Sequence, residues 1–149
     1  MRDVAINLTD VIVNRNSRPV LNISNFTVGN GEVVAVIGTN GAGKSTLLQV
    51  INLQLAFQQG KMSLFGTDVA KTDQVSLRRR CAMVFQETLL LNDTVYNNVA
   101  LALRFRGVSA EIIDAKVKEV LNLFHCDHLI NRLASRLSGK PSGSVWRGR

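Results

Sequence analysis

The residues best placed to do chemistry are Gly38-Thr39-Asn40-Gly41-Ala42-Gly43-Lys44-Ser45-Thr46. They fit the pattern G-x-x-x-x-G-K-[ST] of a phosphate-binding loop. A triphosphate presents closely spaced anionic oxygens, so a loop that wraps it must turn consecutive backbone N–H groups inward. Gly38, Gly41 and Gly43 remove the side chains that would block this approach and permit positive φ. Lys44 adds a mobile cation suited to β- and γ-phosphates. Ser45 offers a hydroxyl to Mg²⁺, which keeps most of its remaining shell as water and phosphate oxygen.

Such a loop works only between a strand and a helix. Glu32-Val33-Val34-Ala35-Val36-Ile37 is apolar and β-branched and reads as a buried strand. Lys44-Ser45-Thr46-Leu47-Leu48-Gln49-Val50-Ile51 reads as an apolar-rich helix, whose free N-terminal N–H groups and dipole favour an anion.

The rest of the chain is strand-rich first and helical afterwards. Val4, Ile6 and Leu8 alternate with polar residues, and Val11 and Val13 continue beyond Asp10. Arg15 to Pro19 reads as a turn, Val20 to Val28 as a strand, and Gly29-Asn30-Gly31 as a hairpin-type turn. Gly60 to Phe65 is a short strand closed by Gly66-Thr67-Asp68, and Cys81 to Phe85 is a further apolar strand stopped by Gln86. From Asp93 the pattern is helical. Thr94 to Arg106 is stopped by Gly107, Ser109 caps a second helix, and Asp127 is placed to cap a third through Leu133. His125 and His128, at a helix junction, read as packing or surface residues.

The 149 residues suffice for a sizeable core, and 46% of them are apolar. The longest apolar runs are too short to span a bilayer, and Met1 to Asn7 contains no signal-peptide core. Cys81 and Cys126 lack metal or redox spacing and read as buried free thiols in a reducing compartment. The net charge is +7, with a cluster at Arg78-Arg79-Arg80 and an acid-free stretch from Arg132 to Arg149. Without aromatic stacking residues beside them, these charges read as solvated surface and tail rather than a nucleic-acid site.

Three further features narrow the family. Gln86 follows Met83-Val84-Phe85, Thr94-Val95-Tyr96-Asn97-Asn98-Val99 comes shortly after, and Leu137-Ser138-Gly139 lies beyond the helical region. With the N-terminal strand pair and the glycine loop, residues 1 to about 139 resemble the ATP-binding subunit of an ABC transporter. The resemblance implies an α/β P-loop NTPase fold of the ABC ATPase type. It implies a β-rich P-loop part over residues 1–87 and a helical subdomain over 88–137, with the C-terminal part missing and a disordered tail at 140–149. It implies ATP and Mg²⁺ as ligands, held by Gly38 to Thr46. Gln86 becomes the residue that senses the γ-phosphate, Mg²⁺ and attacking water. Residues 87–106 become the groove for a cytoplasmic helix of a transmembrane permease, with Leu89, Leu90 and Leu91 as either docking patch or core. Leu137, Ser138 and Gly139 open a signature motif that closes over ATP held by a second ATPase subunit. A solute-binding protein is implied indirectly, as is a cytoplasmic position on the inner face of the membrane. Within the family the chain looks most like importers of oxyanions such as tungstate, molybdate or phosphate.

The chain departs from the family's pattern twice. The family's adenine-stacking aromatic position is filled here by Arg15, and no aromatic precedes Phe26. A guanidinium can stack on a base. After Gly139 the sequence reads Lys140-Pro141-Ser142-Gly143-Ser144-Val145-Trp146-Arg147-Gly148-Arg149, which cannot continue the family's helix. In one permitted choice of codons, a frame shifted at Gly139 encodes Glu-Thr-Lys-Arg-Val-Ser-Leu-Ala-Arg, close to that helix. The expectation is a truncated or frameshifted chain without the acid cluster, unable to hydrolyse ATP alone. The alternatives are a nucleotide-binding module without turnover and a P-loop GTPase or kinase. The last leaves Gln86 and Leu137-Ser138-Gly139 unexplained and lacks a guanine-reading Asn-Lys-x-Asp.

Overall fold

The computed structural model describes residues 3–86 and 90–137. The chain divides into two compact units, Met1–Val84 and Phe85–Arg149.

The first unit is built on two long antiparallel strands, β1 (Val4–Arg15) and β2 (Arg18–Gly29). The turn between them is only Asn16-Ser17, shorter than the run of turn-forming residues suggests. Both residues take positive φ, 50° and 61°, the geometry that matches the twist of the flanking strands. β1 also pairs with β3 (Gln59–Leu64), which pairs with β4 (Thr67–Asp68), giving the order β2-β1-β3-β4.

β1 buries Leu8, Val11 and Val13. Leu8 and Val11 are three apart, so strict alternation would send them to opposite faces. Asp10 resolves this with φ 52°, and the pairing with β3 shifts between Thr9 and Ile12, so that the extra residue lets both side chains turn inward. Gly60 lies against this bulge. A Cβ there would stand 2.4 Å from the Asp10 carbonyl oxygen, which excludes any other residue without backbone movement.

Helix α1 (Lys44–Ile51) contributes Leu47 and Val50 to the core formed by Leu8, Val11, Val13, Leu21, Met62 and Leu64. Two aspartates cap the short helical segments after β4. Asp68 accepts from the Ala70 N–H at 2.9 Å and opens a 3-10 turn over Val69–Lys71. Asp73 accepts from the N–H groups of Val75 and Ser76, each at 3.0 Å, and opens α2 (Gln74–Arg78).

Two apolar runs read as strands are not strands here. Residues 33–37 pair with no strand among the described residues, and Val33 and Ile37 are 96% and 92% exposed. Residues 81–85 behave likewise, with Val84 93% exposed. β-branched composition makes a segment fit to be a strand, but a strand exists only where a neighbour accepts its ladder. Neither run is a member of the four-stranded sheet, and no described strand pairs with either.

The second unit is a helical hairpin of α3 (Val95–Phe105) and α4 (Ala110–Leu123). The Thr94 hydroxyl caps α3 by accepting from the Asn97 N–H at 3.1 Å, and Gly107, at φ +70°, lets the chain reverse. Ser109 is the N-cap of α4 without a side-chain cap bond to the backbone. Val95, Ala100, Ile113, Val117, Leu121 and Ala134 form the core. Directly beyond α4 there is only a 3-10 turn, Asp127–Leu129, with Cys126 rather than Asp127 at its N-cap. The expected third helix is stopped because the chain after it turns back to pair with the start of α3. The Arg132 and Ile130 carbonyls accept from the Val95 and Tyr96 N–H groups at 2.9 and 3.0 Å. Cys81 and Cys126 are free and half-buried rather than fully buried.

Candidate phosphate-binding site

The candidate site is the loop between residue 37 and α1. Gly41 and Gly43 sit at φ +82° and +87°, where residues with a Cβ are strained. They differ in surroundings. A Cβ on Gly41 would meet nothing within 4 Å, whereas one on Gly43 would stand 2.8 Å from the Val20 carbonyl oxygen and 3.4 Å from Leu21 Cδ1. Gly43 is thus where the loop seats directly on β2. A Cβ on Gly38 would lie 3.3 Å from that of Ala42, so the loop closes tightly across its base. The turn is held by the Ala42 N–H, which donates to the Thr39 carbonyl at 3.2 Å.

Gly43 is also the N-cap of α1, and it has no side chain with which to satisfy the first-turn N–H groups. Those donors stay available, with the positive end of the helix dipole behind them. Lys44 folds over the loop, its ammonium donating to the carbonyls of Gly38 at 2.8 Å and Thr39 at 2.7 Å. The side chain therefore stands over the turn, with a third N–H left for another acceptor. Thr39, Asn40 and Ser45 are exposed, and Thr46 is half-buried. No acidic residue occurs between Glu32 and Asp68, and the Glu32 carboxylate is engaged by the Gly29 N–H at 2.7 Å. Uncapped N–H groups, an ammonium and no carboxylate nearby in sequence make a donor set that fits a polyphosphate. Ser45 carries its hydroxyl at the same helix start and would supply an oxygen ligand of the hard kind that Mg²⁺ takes.

The remaining expected site residues are distributed. Arg15 is exposed at the end of β1, in the first unit with the loop. Gln86 is exposed and belongs to the second unit, as does Leu137, 41% exposed. Ser138 and Gly139 lie outside the described residues, as do Glu87, Thr88, Leu89 and the tail from residue 140. Leu90 and Leu91 are 42% and 47% exposed, so they are not core.

Sequence reasoning did not single out what holds these leucines. Asn98 reaches back from α3, its Oδ1 accepting from the Leu91 N–H at 2.8 Å. Its Nδ2 donates to the carbonyls of Thr94 at 2.9 Å, Leu91 at 3.2 Å and Asp93 at 3.3 Å. Beside it, Asn97 Nδ2 and the Thr94 N–H both donate to Asp93 Oδ1 at 2.7 Å, and Arg104 donates to Asn97 Oδ1 at 2.8 Å. The Asn97 bond, then the Thr94 N–H, hold the Asp93 carboxyl below its ordinary range. The available signal was the Asn-Asn pair just after a Thr N-cap, where side-chain amides can reach the incoming chain.

Comparison with known proteins agrees with this geometry. The sequence pattern of the family described as ABC transporter matches residues 21–143. The chain is 44% identical over 116 residues to the methionine import ATP-binding protein MetN of Bordetella avium, covering 75% of this chain and 32% of that protein. It is 38% identical over 141 residues to MetN 2 of Shouchella clausii, covering 91% and 41%. It is 36% identical over 123 residues to an ATP-dependent lipid A-core flippase of Methylobacillus flagellatus, covering 83% and 21%. The solved structure of cbiO1 from Clostridium perfringens, part of the ABC transporter complex cbiONQ, superposes with a TM-score of 0.75 at 25% identity. That match covers 88% of this chain and 54% of the other. The chain thus spans about a third to two fifths of the methionine-import relatives it matches. The expectation of an oxyanion importer is not supported, since these relatives are named for methionine import instead. With the loop geometry and the match over most of its length, this chain belongs to the ABC transporter family, as an α/β P-loop ATP-binding domain.

Proposed function

We propose that this chain binds Mg²⁺–ATP through residues 38–46 and serves as the energy-coupling ATP-binding part of an importer. The observation that carries the reading is the start of α1: a glycine N-cap without a side-chain acceptor, with the Lys44 ammonium folded over the loop it follows. In this reading the α1 N–H groups and Lys44 hold the phosphates, Ser45 and Gln86 supply oxygen ligands toward Mg²⁺, and Arg15 lies against the base. Residues 87–106 dock a permease helix, the Leu137-Ser138-Gly139 segment meets a second ATPase subunit, and a solute-binding protein takes part only through the permease. No described helix is long and apolar enough to cross a membrane, so attachment to the membrane would come from the permease. Methionine is the solute that the relatives' names support.

Hydrolysis requires a positioned water, a base or water-orienting group, and acids that hold the metal. Of these, the reading assigns this chain the water-orienting group, Gln86.

Binding of ATP with Mg²⁺, measured by isothermal titration for the wild type and Lys44→Ala, tests the site. The expected result is measurable affinity that falls at least about tenfold in the variant, roughly the value of one charge-assisted contact. Unchanged affinity would remove the loop from the mechanism.

A further inference from the structure

On α4, Ile112, Lys116, Glu119 and Leu123 stand at i, i+4, i+7 and i+11, so they share one face of the helix. It is a different face from the one that Ile113, Val117 and Leu121 bury in the core of the helical hairpin. Both ends of this stripe are apolar and open. Ile112 is 55% and Leu123 72% exposed, and Val120, also exposed, borders the stripe. Its middle is charged. Lys116 Nζ stands 2.8 Å from Glu119 Oε2, and both side chains are more than half exposed. The other ion pair of α4, Lys118 with Asp114 at 2.7 Å, lies off this stripe. Single exposed apolar residues are ordinary on a protein surface, but these are arranged. The midpoint of Ile112 and Leu123 coincides with the midpoint of Lys116 and Glu119, between Val117 and Lys118. The stripe therefore reads apolar, basic, acidic, apolar. Turning the helix end for end exchanges apolar with apolar and basic with acidic.

From this symmetry we propose that α4 docks a second copy of this chain, the two helices running antiparallel about a two-fold axis. A two-fold contact requires a patch that is complementary to itself. In the antiparallel pairing Ile112 of one copy faces Leu123 of the other, and Lys116 faces Glu119 in both directions. A parallel pairing would set lysine against lysine and glutamate against glutamate, and like-charge juxtaposition selects against it. The charge complementarity of the face with itself is what names a second copy as its occupant. α4 spans about 21 Å, and a single helix face of that length buries less than the roughly 800 Å² per partner of a standard interface. The dimer is accordingly reversible, with a dissociation constant on the order of 100 μM. It needs no nucleotide and does not use the Leu137-Ser138-Gly139 segment.

The test is sedimentation equilibrium of the full chain without nucleotide, from about 10 to about 500 μM. The wild type is expected to show a reversible monomer–dimer equilibrium. Lys116→Glu should weaken self-association at least about tenfold, because it sets acids against acids across the axis. Glu119→Lys should do the same by setting bases against bases. An equimolar mixture of the two variants meets all-acidic with all-basic, and should dimerise within about threefold of the wild type. Both positions are exposed, and circular dichroism checks that the variants retain their helices. Recovery in the mixture separates this face from association through any other apolar surface, which the charge reversals would leave unchanged. A wild type that stays monomeric throughout, self-association that neither variant weakens, or a mixture that does not recover overturns the proposal. So does a dimer that forms only when Mg²⁺–ATP is added.

Discussion

Two glycines in one loop, both at positive φ, make a controlled experiment. Placing alanine at either site forces an L-residue into the left-handed region, at a cost of about 1–2 kcal/mol. At Gly41 the cost ends there, because the new methyl meets nothing within 4 Å. At Gly43 the methyl would stand 2.8 Å from the Val20 carbonyl oxygen, well inside ordinary contact. That oxygen belongs to the β2 backbone, so it cannot swing aside as a side-chain end would. Either β2 or the start of α1 must move by several tenths of an ångström, an overpacking cost of about 1–3 kcal/mol. Gly41→Ala should therefore lose about 1–2 kcal/mol of stability and Gly43→Ala about 2–5 kcal/mol. Urea unfolding of the full chain, monitored by far-ultraviolet circular dichroism, measures both. Gly43→Ala should also weaken nucleotide binding, since the first N–H groups of α1 move with it. Equal losses for the two variants would refute the claim that the loop is seated on Val20.

Other parts of the molecule give three further predictions. Asn98→Ala removes a part-buried amide that bonds Leu91, Asp93 and Thr94; it should cost about 1–3 kcal/mol and speed hydrogen exchange at the Leu91 amide, and an unchanged exchange rate would show that the segment is held otherwise. Asp93 is held below its ordinary value of 3.8, first by the Asn97 amide, so its contribution is present above that value and is lost as pH falls through the lower folded one. A carbon-13 NMR titration should place its midpoint below 3.8 and move it upward in Asn97→Ala. Burial raises the Cys81 thiol while the neighbouring Arg80 opposes this, so alkylation by iodoacetamide at pH 8 should be slower than for an exposed cysteine, and slower still in Arg80→Ala.

The chemistry of the candidate site was legible in the sequence because it depends on residue types at fixed spacing. A backbone that must wrap phosphate needs glycines, and a helix that must present its N–H groups cannot begin with a capping side chain. Helix boundaries at Thr94 and Gly107 were legible for the same local reason: caps act within one turn of themselves. Tertiary structure decided whatever depended on a distant partner. Residues 33–37 have a strand's composition without a strand's hydrogen bonds, because pairing is a property of two segments. Leu8 and Val11 share a face only because Asp10 bulges and Gly60 makes room for it. The third helix after α4 gave way to backbone bonds with the start of α3. Gly43 reads in the sequence as one more loop glycine, and only the fold brings the Val20 carbonyl against it and sets Arg15 opposite Arg18. Local conformational preference is written residue by residue, whereas contact across the chain is settled by which surfaces can be buried together.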